Sequence, residues 1–139
     1  MDEQIKYQKE EKVLGKGAFG IVNLGTKIYN KNQKVEKIVL KEIPTALDKD
    51  QEKSLSKEVN ISLTLDNTNI VKMFDIIELN NTKYLAYELC NGKDLKRYMK
   101  YFKKFDENLI QIITIKMING LKELHKKKLF ATILNQKIF

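Results

Sequence analysis

The sequence predicts an α+β domain from three observations. Five strand-like segments occupy its first two thirds, a helical repeat separates the third from the fourth, and a long apolar helical pattern lies near the end. The first strand covers about residues 7–14 and the second 20–29. Between them runs Gly15-Lys16-Gly17-Ala18-Phe19-Gly20-Ile21-Val22, a G-x-G-x-x-G-x-V loop. Glycines at that spacing let a hairpin backbone press close to phosphate groups, because no Cβ stands in the way. The same pattern opening a helix would indicate a dinucleotide fold. Here Ile21-Val22-Asn23-Leu24-Gly25-Thr26 continues with β-formers, so a second strand follows. On this motif alone an ordinary glycine-rich hairpin is the alternative.

The polar turn Asn30-Lys31-Asn32-Gln33 leads to a third strand at about 35–43, ended by Pro44. Within it, Ile38-Val39-Leu40-Lys41 is an apolar run closed by a lysine. A helix is expected from about Asp50 to Leu65, with Leu55, Val59 and Leu63 four apart, and it carries Glu58. Strands follow at 70–79 and 83–88. A short helix starts at Asp94, which can cap it, and a long one runs from about Asp106 to Lys127. The long helix is apolar almost all round, which suits the middle of a lobe. With no later segment to cover it, Ile110, Ile113, Met117, Leu121 and Leu124 are expected to be largely exposed.

A chain of 139 residues can build one domain with a real core. The single cysteine, Cys90, excludes an internal disulfide and suits a reducing, cytoplasmic setting. No secretory signal is visible, and no run approaches the ~18 apolar residues of a membrane span. The net charge is +8, but Arg97 is the only arginine and the lysines are spread along every element. Bidentate recognition of bases and phosphates leans on arginine, so a solvated surface is expected and neither nucleic acid nor membrane is expected as a partner.

Together these segments resemble the first half of a eukaryotic serine/threonine protein kinase domain. Lys41 falls on the family's V-A-I-K strand and Glu58 on the helix after it, where a glutamate holds that lysine. Asp66-Asn67-Thr68-Asn69-Ile70-Val71-Lys72-Met73 resembles the L-x-H-P-N-I-V-x-L turn and fourth strand. Lys83-Tyr84-Leu85-Ala86-Tyr87-Glu88-Leu89-Cys90-Asn91-Gly92-Lys93-Asp94-Leu95 resembles the fifth strand and hinge, and Gly120-Leu121-Lys122-Glu123-Leu124-His125 resembles the end of the family's E helix. The hinge and the Gly92-Lys93-Asp94-Leu95 turn lean toward autophagy-initiating-type kinases.

The resemblance implies a protein-kinase-like fold, with a five-stranded antiparallel small-lobe sheet, the C helix, and the D and E helices that open the large lobe. The small lobe would cover about 7–88, the hinge and start of the large lobe 89–130, and an aberrant tail 131–139. A whole kinase fold needs roughly twice this length, so the chain is expected to be a fragment.

ATP and magnesium are the implied cofactors, and a protein hydroxyl is the implied acceptor. Leu14 and Val22 would cover the adenine, with Val39 where the family usually has alanine. Glu88 and Cys90 would bond the adenine edge through backbone, and Tyr87 would stand behind the base. Asp94 would reach the ribose, while the loop from Gly15 and Lys16 through Gly17, Ala18, Phe19 and Gly20 would cover the phosphates. Lys41, fixed by Glu58, would hold the α- and β-phosphates.

Several positions depart from the family pattern. Ser62, one turn beyond Glu58, replaces a leucine or methionine that packs against the catalytic core. Asn67-Thr68 replaces His-Pro, and Lys93 replaces the second glycine of the G-G-D turn. After Leu129-Phe130 the family continues H-R-D-L-K-P-x-N, whereas this chain reads Ala131-Thr132-Ile133-Leu134-Asn135-Gln136-Lys137-Ile138-Phe139. The catalytic aspartate position becomes Ile133, the metal-binding asparagine position becomes Ile138, and no D-F-G follows. Codons for Thr132 to Phe139, read one frame over, permit Asp-Leu-Lys-Pro-Glu-Asn-Ile, the family's continuation. A shifted reading frame at the tail is therefore expected, with catalysis absent from this chain. The alternative is a pseudokinase acting as a nucleotide-binding or scaffold module.

Overall fold

The computed structural model describes residues 4–17, 20–92, 94–102 and 105–127. In chain order the elements are β1 (Ile5–Gly17), β2 (Gly20–Tyr29), β3 (Lys34–Glu42), α1 (Lys49–Ser62), β4 (Met73–Leu79), β5 (Thr82–Glu88), α2 (Leu95–Tyr101) and α3 (Glu107–Lys126). The strands form one sheet in the order β1-β2-β3-β5-β4, and every neighbouring pair is antiparallel. The expected five-stranded antiparallel sheet with one helix after its third strand is therefore what forms.

The alternation of side chains along β3 and β5 divides the core in two. On one face Ile38, Leu40, Tyr84 and Ala86 are buried together. Tyr7 of β1 and Phe74 of β4 pack on this same cluster. Those two strands are the opposite edges of the sheet, so the sheet curls around this core. On the other face Met73 and Leu85 join Val59 of α1, with Ile43, Leu55 and Tyr87 packed against them. This is where α1 attaches.

Helix α1 starts where local chemistry dictates. Asp48 caps it: its carboxylate accepts from the Gln51 amide at 2.8 Å, while the Gln51 side chain accepts from the Asp48 amide at 3.1 Å. The helix ends at Ser62, three residues before the expected Leu65. Leu63 is its C-cap and is exposed, so the third member of the i, i+4 series does not reach the core. Leu65 is buried instead, with Leu124 of α3, and Ile61 and Ile70 pack beside them. Strand β4 begins at Met73 rather than near residue 70, because Asn67 organises a turn there. Its side chain accepts from the Asn69 amide at 2.8 Å, and its carbonyl accepts from the Ile70 amide at 3.0 Å.

Helix α3 docks through a close approach. A Cβ on Gly120 would lie 3.0 Å from the Asn69 carbonyl oxygen, so a glycine lets the helix backbone come against the turn. This corrects the expected exposure of α3. Leu124 is buried at 5% and Ile113 is half-buried, whereas Ile110, Met117 and Leu121 are exposed as expected. Ile112, Ile115 and Ile118 are exposed with them.

Buried polar groups in the sheet are mostly satisfied. Thr26 donates to the Glu10 carboxylate at 2.7 Å, and Lys37 adds a second bond to the same oxygen. The buried Lys27 ammonium lies 4.1 Å from the Phe74 ring centroid and 4.9 Å from that of Tyr29. The Asn23 Oδ1 atom is buried with no hydrogen-bond partner.

Candidate nucleotide site

The glycine motif is a hairpin, as the β-formers after Gly20 require. The β1–β2 ladder runs on through Gly15↔Val22, Lys16↔Ile21 and Gly17↔Gly20. Ala18 and Phe19 lie outside the described residues. Irregularities between Lys9 and Val13 and between Val13 and Gly15 bend β1 just before the motif.

Its glycines do different things. Gly20 has φ +106°, and a Cβ there would stand 2.8 Å from the Glu42 carbonyl oxygen. Both facts demand glycine, and the loop is thereby held against the end of β3. A Cβ on Gly15 would meet nothing within 4 Å, so its backbone borders open space that a ligand can enter.

Strand register sets the sheet face of the site. Val22 pairs with Lys41 and Leu24 with Val39 across β2–β3. Lys41 pairs with Leu85 and Val39 with Tyr87 across β3–β5. Directly paired residues, and residues two apart on one strand, share a face. Val22, Val39, Lys41, Leu85 and Tyr87 therefore line one surface, the one that receives Val59. Glu58 precedes Val59 on α1 and is itself buried, at 8% exposure.

The electrostatics tie these groups together. Burial pushes the half-buried Lys41 ammonium below its ordinary pKa, and the Glu58 charge opposes that fall. The Tyr87 hydroxyl is pushed up to about 12, by burial first and by the Glu58 charge second. The Glu58 charge thus acts on both side chains. A cation held beside a carboxylate under a glycine hairpin is suited to anionic phosphoryl groups.

The hinge side is built from backbone. The Glu88 amide donates to the Lys72 carbonyl at 2.9 Å, and the Glu88 carboxylate accepts from the Lys72 amide at 2.7 Å. Cys90 is exposed, and its thiol is pushed up by burial and then by the Glu88 charge. Asp94 caps α2: one carboxylate oxygen accepts from the Arg97 amide at 2.6 Å, and the other lies 4.0 Å from Arg97 Nε. Its side chain is thus engaged by the helix it begins. Leu14 is exposed at the near edge of β1.

Ile133 and the rest of the tail lie outside the described residues. A cavity of about 460 Å³ lies behind α1, bordered by Leu47, Leu55, Ile76 and Lys83, and includes neither Lys41 nor Glu58.

Three supporting contacts are not announced by the sequence motifs. Gly25 passes between strands where a Cβ would lie 2.8 Å from Leu40 Cδ1; a glycine inside a strand pattern is the available signal. Glu42 receives Gly20 through its backbone, and Lys72 holds Glu88 through its backbone. Neither contact has a signature in residue type.

The described residues contain no group of three or more His, Cys, Asp or Glu side chains that could hold a metal ion. The asparagine magnesium ligand that the resemblance implies falls at Ile138, outside the described residues. Among the described residues, no side-chain set fits a metal ion.

Comparison with known proteins agrees with this geometry. The family model described as protein kinase domain matches residues 7–132. Calcium-dependent protein kinase 6 of Plasmodium berghei is 32% identical over 123 residues, 88% of this chain and 8% of that protein. Calcium/calmodulin-dependent protein kinase type II of Schizosaccharomyces pombe is 34% identical over 120 residues, 86% of this chain and 23% of that protein. Human serine/threonine-protein kinase ULK1 is 31% identical over 115 residues, 83% of this chain and 11% of that protein. The chain thus spans less than a quarter of the length of each of these relatives. A curled five-stranded sheet, a lysine and a helical glutamate beneath a glycine hairpin, and a match over residues 7–132 make this chain a member of the protein kinase domain family.

Proposed function

We propose that this chain is the ATP-binding half of a serine/threonine protein kinase, and that by itself it binds nucleotide without transferring phosphate. The observation that supports the first part is that Lys41 sits beside Val22 on the sheet face that receives α1, whose buried Glu58 acts on the Lys41 charge. The register Val22↔Lys41↔Leu85 and the burial of Glu58 beside Val59 support it. Val22, Val39 and Leu14 offer apolar surface to the base, and the hinge at Glu88 and Cys90 offers backbone.

The second part rests on sequence. Ile133 cannot accept a proton from a substrate hydroxyl, and Ile138 cannot hold a metal. In the complete family, ATP is the donor and a protein hydroxyl the acceptor. The cytoplasm is the compartment that fits a lone exposed Cys90. No helix among the described residues is long and apolar enough to cross a membrane.

The test is to titrate ATP and adenosine against the purified 139-residue chain, with and without magnesium, and to repeat both with Lys41→Ala. Weak binding is expected, with little magnesium dependence and a preference for ATP that Lys41→Ala abolishes. Tight, magnesium-requiring binding, or magnesium-dependent transfer of phosphate to a generic protein substrate, would overturn the reading.

A further inference from the structure

We propose that Glu10 is a positioning residue for the glycine hairpin: its carboxylate, shared by Thr26 of β2 and Lys37 of β3, fixes the point from which β1 departs to carry Leu14 and Gly15 over the nucleotide. The proposal rests on the reading that this hairpin covers a nucleotide.

The β1–β2 ladder breaks just before the glycine motif. Regular pairing ends at Lys9↔Gly25 and resumes at Val13↔Asn23 and Gly15↔Val22. Six steps along β1 thus face three along β2. The run from Glu10 to Leu14 is longer than the strand it lies against, and bulged backbone loses ladder bonds. Val13 and Leu14 are exposed, so burial does not hold the run in place either.

Side chains hold it instead, at its first residue. Thr26 and Lys37 are direct partners across β2–β3. Glu10 Oε1 accepts from the Thr26 hydroxyl at 2.7 Å and from the Lys37 ammonium at 2.5 Å. The ammonium also donates to the Thr26 hydroxyl oxygen at 3.5 Å, which closes a ring of three bonds. Thr26 is buried, so its hydroxyl depends on these partners. The Lys37 bond first and the Thr26 bond second hold the Glu10 carboxyl below its ordinary range, which keeps it charged. One carboxylate therefore ties three neighbouring strands together at the place where the backbone ladder between two of them fails.

The anchor lies on the surface that meets the ligand. Thr26 is four residues from Val22 on β2, and Lys37 is two from Val39 and four from Lys41 on β3. Alternation along each strand puts all five on one sheet face. Lys37 comes just beyond Ile38, the last partner of Glu88, so the anchor stands at the hinge end and Lys41 at the other. Leu14 follows Glu10 by only four residues, and a shift of the carboxylate moves the cover over the base.

The experiment takes two readouts from the 139-residue chain. One is amide hydrogen exchange, at the described hairpin residues 15–17 and 20–22 and at Ile38 and Leu40 in the core. The other is the affinity for adenosine, which carries no charge and so does not respond directly to the charge of a variant. Glu10→Gln is expected to speed hairpin exchange about fivefold, the upper end for an ion pair open to solvent, with core exchange unchanged. Adenosine affinity is expected to fall by a similar factor. Lys37→Ala is expected to do the same, and Glu10→Gln/Lys37→Ala to go no further than either. Lys37→Arg keeps the cation and is expected to keep the parent's exchange and affinity.

Hairpin exchange and adenosine affinity unchanged in Glu10→Gln would overturn the proposal. Faster exchange in hairpin and core alike would reveal a general loss of stability and overturn it too, as would a faster hairpin with adenosine affinity unchanged. Should Glu10→Gln not fold, Lys37→Ala, which removes a side chain 55% exposed, is judged by the same readouts. A parent chain that binds neither adenosine nor ATP would overturn the nucleotide reading, and the role of Glu10 in binding with it, whatever the exchange rates.

Discussion

Glu88 and Lys72 are joined twice. The Glu88 amide donates to the Lys72 carbonyl at 2.9 Å, and the Glu88 carboxylate accepts from the Lys72 amide at 2.7 Å. The last residue of β5 is thus fastened to the residue that precedes β4. The hinge leaves the sheet from a rigid point, with the Glu88 side chain turned to the residue that precedes β4.

Removing that carboxylate should loosen the hinge. Glu88→Ala strips a charge-assisted bond from the Lys72 amide and should cost about 1–3 kcal/mol. Urea unfolding measures the loss, and adenosine affinity should fall with it because the backbone at Cys90 is no longer held. Unchanged unfolding and unchanged affinity would mean that the backbone bond alone suffices.

Lys41 and Glu58 make a prediction about pH. Burial is the main cause that puts Lys41 below its ordinary value of 10.5, and Glu58 opposes it. The unfolded chain therefore holds the proton to higher pH than the folded one. The cost of burying the ammonium is full below the folded pKa and fades as pH rises toward the unfolded value. Glu58→Gln removes the opposing charge and should lower the Lys41 pKa further, which widens that window. Labelling with an amine-directed acylating reagent just below the ordinary lysine range should then modify Lys41 faster than in the parent. Slower or equal labelling would show that Glu58 does not hold the charge.

The glycines of the hairpin should separate by mutation. Gly20→Ala forces a side chain into φ +106° and against the Glu42 carbonyl, so it should destabilise by more than about 1 kcal/mol. Gly15→Ala meets no atom within 4 Å and should leave the melting temperature close to that of the parent. Calorimetry of the two variants decides. Equal losses would mean that the loop is not fastened at Glu42.

Asn23 offers a stabilising change. Its Oδ1 is buried with no partner, a state that costs roughly 1–3 kcal/mol. Asn23→Leu, the apolar residue nearest in shape, should raise the midpoint of chemical denaturation. A lowered midpoint would point to a role for the amide that the contacts do not show.

The exposed side of α3 should drive association. Ile112, Ile115 and Ile118 are each more than half exposed, beside Met117 and Leu121. A contiguous apolar patch of this kind favours self-contact in water. Ile115→Lys with Ile118→Lys should reduce the mass seen by light scattering without lowering the melting temperature, because neither side chain is buried. A parent chain that is already monomeric at high concentration would refute this.

Much of the fold is legible in the residues alone. The glycine hairpin, the lysine that closes the third strand and the order of elements follow from local chemistry: glycine spacing, β-branched runs and capping residues act over a few positions. Boundaries are less legible. The i, i+4 pattern carries α1 on to Leu65, yet the helix stops at Ser62. Burying Leu65 beside Leu124 requires the chain to leave the helix axis, and Leu124 lies far along the sequence. Likewise, no spacing rule announces that Gly120 lets α3 reach Asn69, or that this contact covers Leu124 while Ile115 stays in solvent.

By itself the sequence determined which chemistry is present. It supplies the glycine spacing of the hairpin, the lysine that closes β3, the glutamate on the helix after it, and Ile133 and Ile138 in the tail. The tertiary structure alone decided what surrounds that chemistry. It set Tyr87 diagonal to Lys41, turned the Glu88 carboxylate onto Lys72 and buried Glu58 beside Val59. The physical reason is range. Propensity and patterning act within one element, whereas burial, register and the field felt by a charge depend on elements that meet only when the sheet has curled and α1 has docked.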